Sequence, residues 1–184
     1  MFPLSESAQS ELLSLCRNRL EEFLKHGRKA LNEANSPELL ERRGVFVTLH
    51  THGELRGCIG IPEPVSPLFQ AAQECALSAA RSDPRFSPIT EVELPDVQIE
   101  ISVLSLLEAV ESIDSIVIGV HGLLLNHLGR RGLLLPKVPI EHGWDREMFL
   151  EQLCRKAHLP PTAWKEGAKI QRFSAFVFGE KSRV

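Results

Sequence analysis

The segment ELRGCIGI, residues 54–61, sets one thiol, Cys58, between two glycines, Gly57 and Gly60, with Arg56 two positions before it. On an extended strand the Cα atoms of Arg56 and Cys58 lie roughly 6 to 7 Å apart on one face. A guanidinium at that range favours the thiolate, the nucleophilic and metal-binding form of cysteine. Gly57 and Gly60 leave the backbone unshielded, so its N–H groups could receive an oxyanion or a carboxylate. The competing reading is structural. Glycines inside a strand mark a bulge or a close crossing, and a small cysteine fills the space between two layers. A nucleophile needs a base, and no Cys–His pairing accompanies the motif; His50, near the turn of the same hairpin, reads as an exposed edge residue.

Glu100 is a carboxylate in the middle of an apolar strand. It could meet Arg56 or Arg85, either as a structural ion pair or as one wall of a polar pocket. In SDPRF, residues 82–86, Asp83 suits a turn cap and Arg85 a ligand anion. The pairs Arg42-Arg43 and Arg130-Arg131 read as solvated turn residues or as contacts for one small anion. The candidate catalytic set is therefore Cys58, Arg56 and Glu100, and the candidate binding set Gly57, Gly60, Asp83, Arg85 and Arg131. Cys16, Cys75 and Cys154 sit on helical apolar faces, and none of the four cysteines forms a C-x-x-C pair or has zinc-finger spacing to a histidine, so no metal site is expected. His121, His127 and His142 follow no ligand pattern either. No motif names a cofactor.

The elements that must position these residues follow from capping and periodicity. Ser5 caps a helix over 6–25 that carries Leu13, Cys16, Leu20, Phe23 and Leu24 as its stripe, and Gly27 ends it. Ser36 and Pro37 start a shorter segment closed by Gly44. GVFVTLHTHGELRGCIGI is a β-hairpin turning at His52-Gly53. Parity then sends Leu55, Gly57, Ile59 and Ile61 to the core, and Arg56, Cys58 and Gly60 to the opposite face. Ser66 and Pro67 open a second helix that stops at Asp83-Pro84. Thr90 and Glu93 form a capping box, and VQIEISVL is a strand. The order then recurs: a hairpin of two GLLL arms, a helix capped by Asp145, and a strand KIQRFSAFVF. Hairpin, helix and strand twice over predict an internal duplication, a mixed α+β domain with mostly antiparallel sheets, flanking helices and an extra N-terminal helix. The tail GEKSRV reads as frayed.

A chain of 184 residues with 43% apolar content suits a single domain, here residues 1–184 with a helical region 1–43 packed on a core of 44–180. Its net charge of −3 offers no positive field for a polyphosphate backbone, so nucleic-acid binding is not expected. The N-terminus lacks a basic segment followed by an apolar run, and no stretch approaches the roughly 20 apolar residues of a membrane span. These features predict a cytoplasmic protein with no membrane association.

The segments LRGCIG, DPRF, LPDVQIEISVL, GVHGLLL, GRRGLLLP and LCRKAHLPPTAW, taken together over residues 44–180, resemble the AMMECR-one domain family. With the N-terminal helix in front, the chain is most similar to its prokaryotic branch called AmmeMemoRadiSam system protein A. The resemblance implies a duplicated α+β fold with swapped-in strands and association with a Memo-like protein and a radical S-adenosylmethionine protein. It brings no settled reaction and no catalytic residues. Three functional readings stay open: a cysteine-dependent enzyme on a small anionic or carbonyl substrate, a non-catalytic binding or adaptor module, and, more weakly, an RNA-associated factor.

Overall fold

Ser5 opens the first helix as its sequence requires. In the computed structural model, which describes residues 3–27 and 31–180, helix α1 (Glu6–His26) begins with the Ser5 hydroxyl accepting the Ala8 N–H at 3.3 Å. It ends at Gly27 in the left-handed region, φ 66°. Pro37–Leu40 forms one 3-10 turn, and Ser36 makes no side-chain cap to it. Strands β1 (Val45–Thr51) and β2 (Glu54–Ile61) pair across His52 and Gly53, both at positive φ, as a two-residue hairpin turn demands. Helix α2 (Leu68–Arg81) follows with Pro67 at the cap position. Ser66, expected to cap it, does not: its buried hydroxyl has no partner among the described residues. Strand β3 (Val97–Leu104) completes the first series.

The second series runs β4 (Glu108–Ala109), β5 (Gly122–His127), β6 (Arg130–Leu134), α3 (Lys137–Glu141), α4 (Arg146–Lys156), β7 (Lys169–Phe173) and β8 (Ala175–Gly179). Asp145 caps α4 by accepting the Met148 N–H at 2.8 Å. The short α3 has no counterpart in the sequence reading. KIQRFSAFVF, read as one strand, is two, broken at Ser174.

The chain divides into two compact units, Met1–Leu104 with Phe176–Val184, and Ser105–Ala175. In the first, the sheet order is β2-β1-β3-β8, and its inner face (Val45, Val47, Leu49, Ile99, Ile101) is buried with Leu12, Cys16 and Leu20 of α1 and Ala72, Cys75 and Ala79 of α2. In the second, the order is β4-β7-β5-β6, with Leu123 and Leu125 buried with Phe149, Leu150, Leu153 and Cys154 of α4. Each sheet thus consists of a hairpin, a third strand, and a fourth strand contributed by the chain segment that follows the other unit's third strand. At the two exchange points Ser105 and Ser174 bond each other: Ser105 N–H donates to the Ser174 carbonyl at 2.9 Å, and Ser174 N–H to the Ser105 hydroxyl at 3.0 Å. The α+β class, the duplication and the swapped-in strands are all present.

One irregularity governs the site. The hairpin register pairs His50 with Leu55 but Leu49 with Gly57, so Arg56 has no partner of its own and forms a β-bulge. Leu55, assigned to the core by simple alternation, is 39% exposed. The segment expected to fray is anchored at its start: Glu180 N–H donates to the Ile99 carbonyl at 2.9 Å, and the Glu180 carboxylate takes the guanidinium of Arg17. Residues 181–184 of that tail lie outside the described residues.

Candidate functional site

Because β1 alternates without interruption against β3, Val45, Val47 and Leu49 face the helices while Phe46 and Thr48 face the other way. Thr48 stands opposite Cys58 on one side and opposite Glu100 on the other. Directly opposed residues of antiparallel strands share a face, so thiol, hydroxyl and carboxylate form one row across three strands. The Thr48 hydroxyl donates to Cys58 Sγ at 3.3 Å. Cys58 is half-buried, whereas Cys16, Cys75 and Cys154 are buried. Among the described residues no cation pairs with Glu100; the arginines expected beside it are engaged elsewhere.

Arg56 is the first correction. Placed in the bulge, it does not reach toward the thiol: Nε donates to Glu93 Oε1 at 3.0 Å and Nη1 to the Ser87 carbonyl at 2.8 Å, with the side chain 16% exposed. Glu93 is itself the reaching half of the expected capping box, accepting from Thr90 N–H and hydroxyl at 2.9 Å each. These bonds, the Thr90 N–H foremost, hold its carboxyl below the usual range. Arg56 therefore ties β2 to the loop before β3.

The glycines are the second correction. A Cβ on Gly57 would stand 2.2 Å from the Ala79 carbonyl oxygen of α2, and one on Gly60 2.2 Å from the Phe46 ring. Gly57 is needed for helix-to-sheet approach and Gly60 for the ring lying across it; neither offers open backbone to a ligand.

Asp83 and Arg85 do meet Cys58, at the backbone. The strand β2 is an edge, so the Cys58 N–H and carbonyl point out of the sheet. Asp83 Oδ2 accepts the Cys58 N–H at 2.9 Å. Arg85 grips the same carboxylate through Nε to Oδ1 at 3.0 Å and Nη2 to Oδ2 at 2.7 Å, and Nη2 also lies 3.5 Å from the Cys58 carbonyl. The Arg85 bonds hold the Asp83 carboxyl far below the usual carboxylate range, against the opposing effect of burial, and the Cys58 N–H adds to them. Arg131 belongs to the second unit, on β6 opposite Asn126. No group of three or more His, Cys, Asp or Glu among the described residues could hold a metal ion, and no described helix is long and apolar enough to cross a membrane.

Thr48 is the participant that sequence reasoning missed. With the turn at His52-Gly53, regular pairing would set Thr48 opposite Gly57, an outward residue against an inward one. One extra residue in either strand brings the two faces into agreement, so the mismatch was the available signal of a bulge, and the fold places it in β2.

The fold and these motifs have close parallels. The AMMECR1 family model matches residues 13–178. The chain belongs to the AMMECR1 family. Protein MJ0810 of Methanocaldococcus jannaschii is 48% identical over 84% of this chain and 81% of its own length, and a Thermococcus onnurineus protein is 44% identical over 98% and 94%. The crystal structure of an uncharacterized AMMECR1 relative, PH0010 of Pyrococcus horikoshii, superimposes with a TM-score of 0.90 at 39% identity, covering 98% of this chain and 95% of that one.

The duplication supplies an internal comparison for the site in this AMMECR1 chain. Gly132 is the counterpart of Gly57: it lies opposite Leu125 in the hairpin, as Gly57 lies opposite Leu49, and a Cβ there would meet the Leu153 carbonyl of α4 at 2.7 Å. Counting from these glycines, Cys58, Thr48 and Glu100 correspond to Leu133, Leu124 and Gln171. Arg56 corresponds to Arg131.

Proposed function

We propose that the protein is a cysteine-dependent enzyme acting on a small carbonyl compound, with Cys58 as nucleophile, Thr48 as hydroxyl donor and Glu100 as acid and base. One observation supports this reading above the others: the row of thiol, hydroxyl and carboxylate in the first sheet is two leucines and a glutamine in the second. The architecture accepts hydrocarbon at two of those positions and an uncharged amide at the third, so packing does not account for the thiol and the hydroxyl.

The chemistry follows from the spacing. Cys58 and Glu100 flank Thr48, which separates their Cα atoms by about 10 Å, two strand spacings. In this reading a substrate of a few heavy atoms bridges Cys58 and Glu100 beside Thr48, which is itself only 8% exposed. Cys58 Sγ bonds to the carbonyl carbon as its proton passes through one intervening water to Glu100, and the C=O π pair moves onto oxygen, where the Thr48 hydroxyl turns to donate. Glu100 then returns the proton to that oxygen, leaving a neutral thiohemiacetal for the following step. In the same reading the chain works beside a Memo-like protein and a radical S-adenosylmethionine protein, the association its resemblance implies; copurification of the three tests that part separately.

A tagged α-chloroketone tests the site, since its carbonyl mimics the substrate and its chloride leaves as the C–S bond forms. Cys58 is expected to react at least about tenfold faster than N-acetylcysteine, the effect of one hydrogen bond to a charged group. Glu100→Gln should slow it, and Cys58→Ser should abolish labelling. Reaction at the free-thiol rate, with Cys58→Ser fully active in cells, would leave the adaptor reading in place of this one.

A further inference from the structure

We propose that the substrate carries a carboxylate beside its reacting carbonyl, as a 2-oxo acid does, and that the outer edge of the Arg85 guanidinium binds it. This rests on Cys58 being the nucleophile. Arg56, the cation that sequence spacing placed near the thiol, is spent on Glu93 and Ser87. Arg85 is the cation that the fold brings to Cys58 instead, 3.5 Å from its carbonyl.

Edge protection alone does not require this arginine. Asp83 satisfies the Cys58 N–H by itself, and a shorter donor would serve the carbonyl. Three contacts fix the guanidinium: Nε and Nη2 on the 2%-exposed Asp83 carboxylate, and the Phe86 ring 5.4 Å from Cζ. Nη1 has no partner among the described residues, and the side chain is 54% exposed. The result is an immobilised planar cation with donors to spare, beside the sulfur-bearing residue. Such a group binds a planar carboxylate without ordering itself first. The hydrogen bonds to Asp83 raise the Arg85 pKa further above its already high ordinary value, and the Cys58 thiol group adds to that direction.

Two alkylating reagents that differ only in charge separate this inference from the reading beneath it. Iodoacetate and iodoacetamide both form the C–S bond with loss of iodide, but only the first carries a carboxylate. The ratio of their rates at Cys58 is expected to exceed the ratio for N-acetylcysteine by about tenfold, with pyruvate slowing the iodoacetate reaction. Arg85→Gln should return the ratio to the free-thiol value and leave iodoacetamide labelling in place. The double variant Asp83→Asn, Arg85→Gln should do the same without stranding a buried carboxylate. An unchanged ratio in both variants, with Cys58 still fast toward iodoacetamide, overturns the anchor and leaves the nucleophile standing. Labelling by neither reagent above the free-thiol rate removes both.

Discussion

Four thiols in one chain make reactivity a question of environment. Burial pushes the Cys75 thiol up to about 12 and raises Cys16 and Cys154 as well, whereas Cys58 is half-buried and accepts a hydroxyl hydrogen bond. Iodoacetamide should therefore modify the folded protein once, at Cys58, and reach the other three only in denaturant; peptide mapping by mass spectrometry reads this directly. Modification of Cys75 or Cys154 at a similar rate would contradict the burial described. Thr48→Val should slow Cys58 labelling about fivefold at neutral pH, corresponding to ~1 kcal/mol for one lost hydrogen bond, while Thr48→Ser preserves the rate. Asp83 carries the acid sensitivity. Its folded pKa is depressed, so its stabilising contribution is complete above the unfolded value near 4 and is lost as pH falls below that toward the folded one. Asp83→Asn should flatten stability against pH in that acidic window, as measured by urea midpoints. At this scale the sequence displayed Cys58, Asp83 and Arg85 through their motifs. It could not assign Arg56, because two-residue spacing fixes a common face only while the strand stays regular.

The bulge shows what an element adds to its residues. Regular pairing from the His52-Gly53 turn would oppose Val47 to Cys58, setting a core residue against an outward one; one extra residue moves the partner to Thr48. The same insertion turns Leu55 outward and sends Arg56 to Glu93. Deleting Arg56 would keep the pairs Leu49–Gly57 and Thr48–Cys58 in regular register and remove the tie to Glu93. The helices impose the complementary demand on the strand. Gly57→Ala and Gly132→Ala place a methyl group against helix backbone at 2.2 and 2.7 Å. Each should destabilise by about 2 kcal/mol or more, with Gly57 the worse, as read by urea denaturation. Equal stability of either variant with the parent would show that the helices move aside without cost. The glycines in LRGCIG were visible from the start, but whether they served a ligand or a neighbour depended on the helix that lies on them.

For the whole molecule, the decisive feature is that neither sheet is built from a continuous stretch of chain. β8 follows β7 of the second unit yet lies beside β3 of the first, and Glu180 holds it there through Arg17 and Ile99. A fragment ending at residue 104 would leave the β3 edge unpaired and Arg17 without its carboxylate. It should fail to give a dispersed amide NMR spectrum, whereas fusing residues 175–180 after it through a flexible linker should restore one. A folded, monomeric 1–104 fragment would show that the exchanged strand contributes little.

The sequence by itself determined the helices, the two hairpins, the repeat and the motif around Cys58, because capping residues, turn glycines and apolar periodicity act over a few positions. Tertiary structure decided which groups share the site. The Thr48 partnership depends on strand register, the Asp83 and Arg85 contacts depend on a helix end reaching a sheet edge, and the division of KIQRFSAFVF depends on two sheets competing for adjacent residues. Those are long-range pairings, and local spacing carries no measure of which distant backbone will lie alongside.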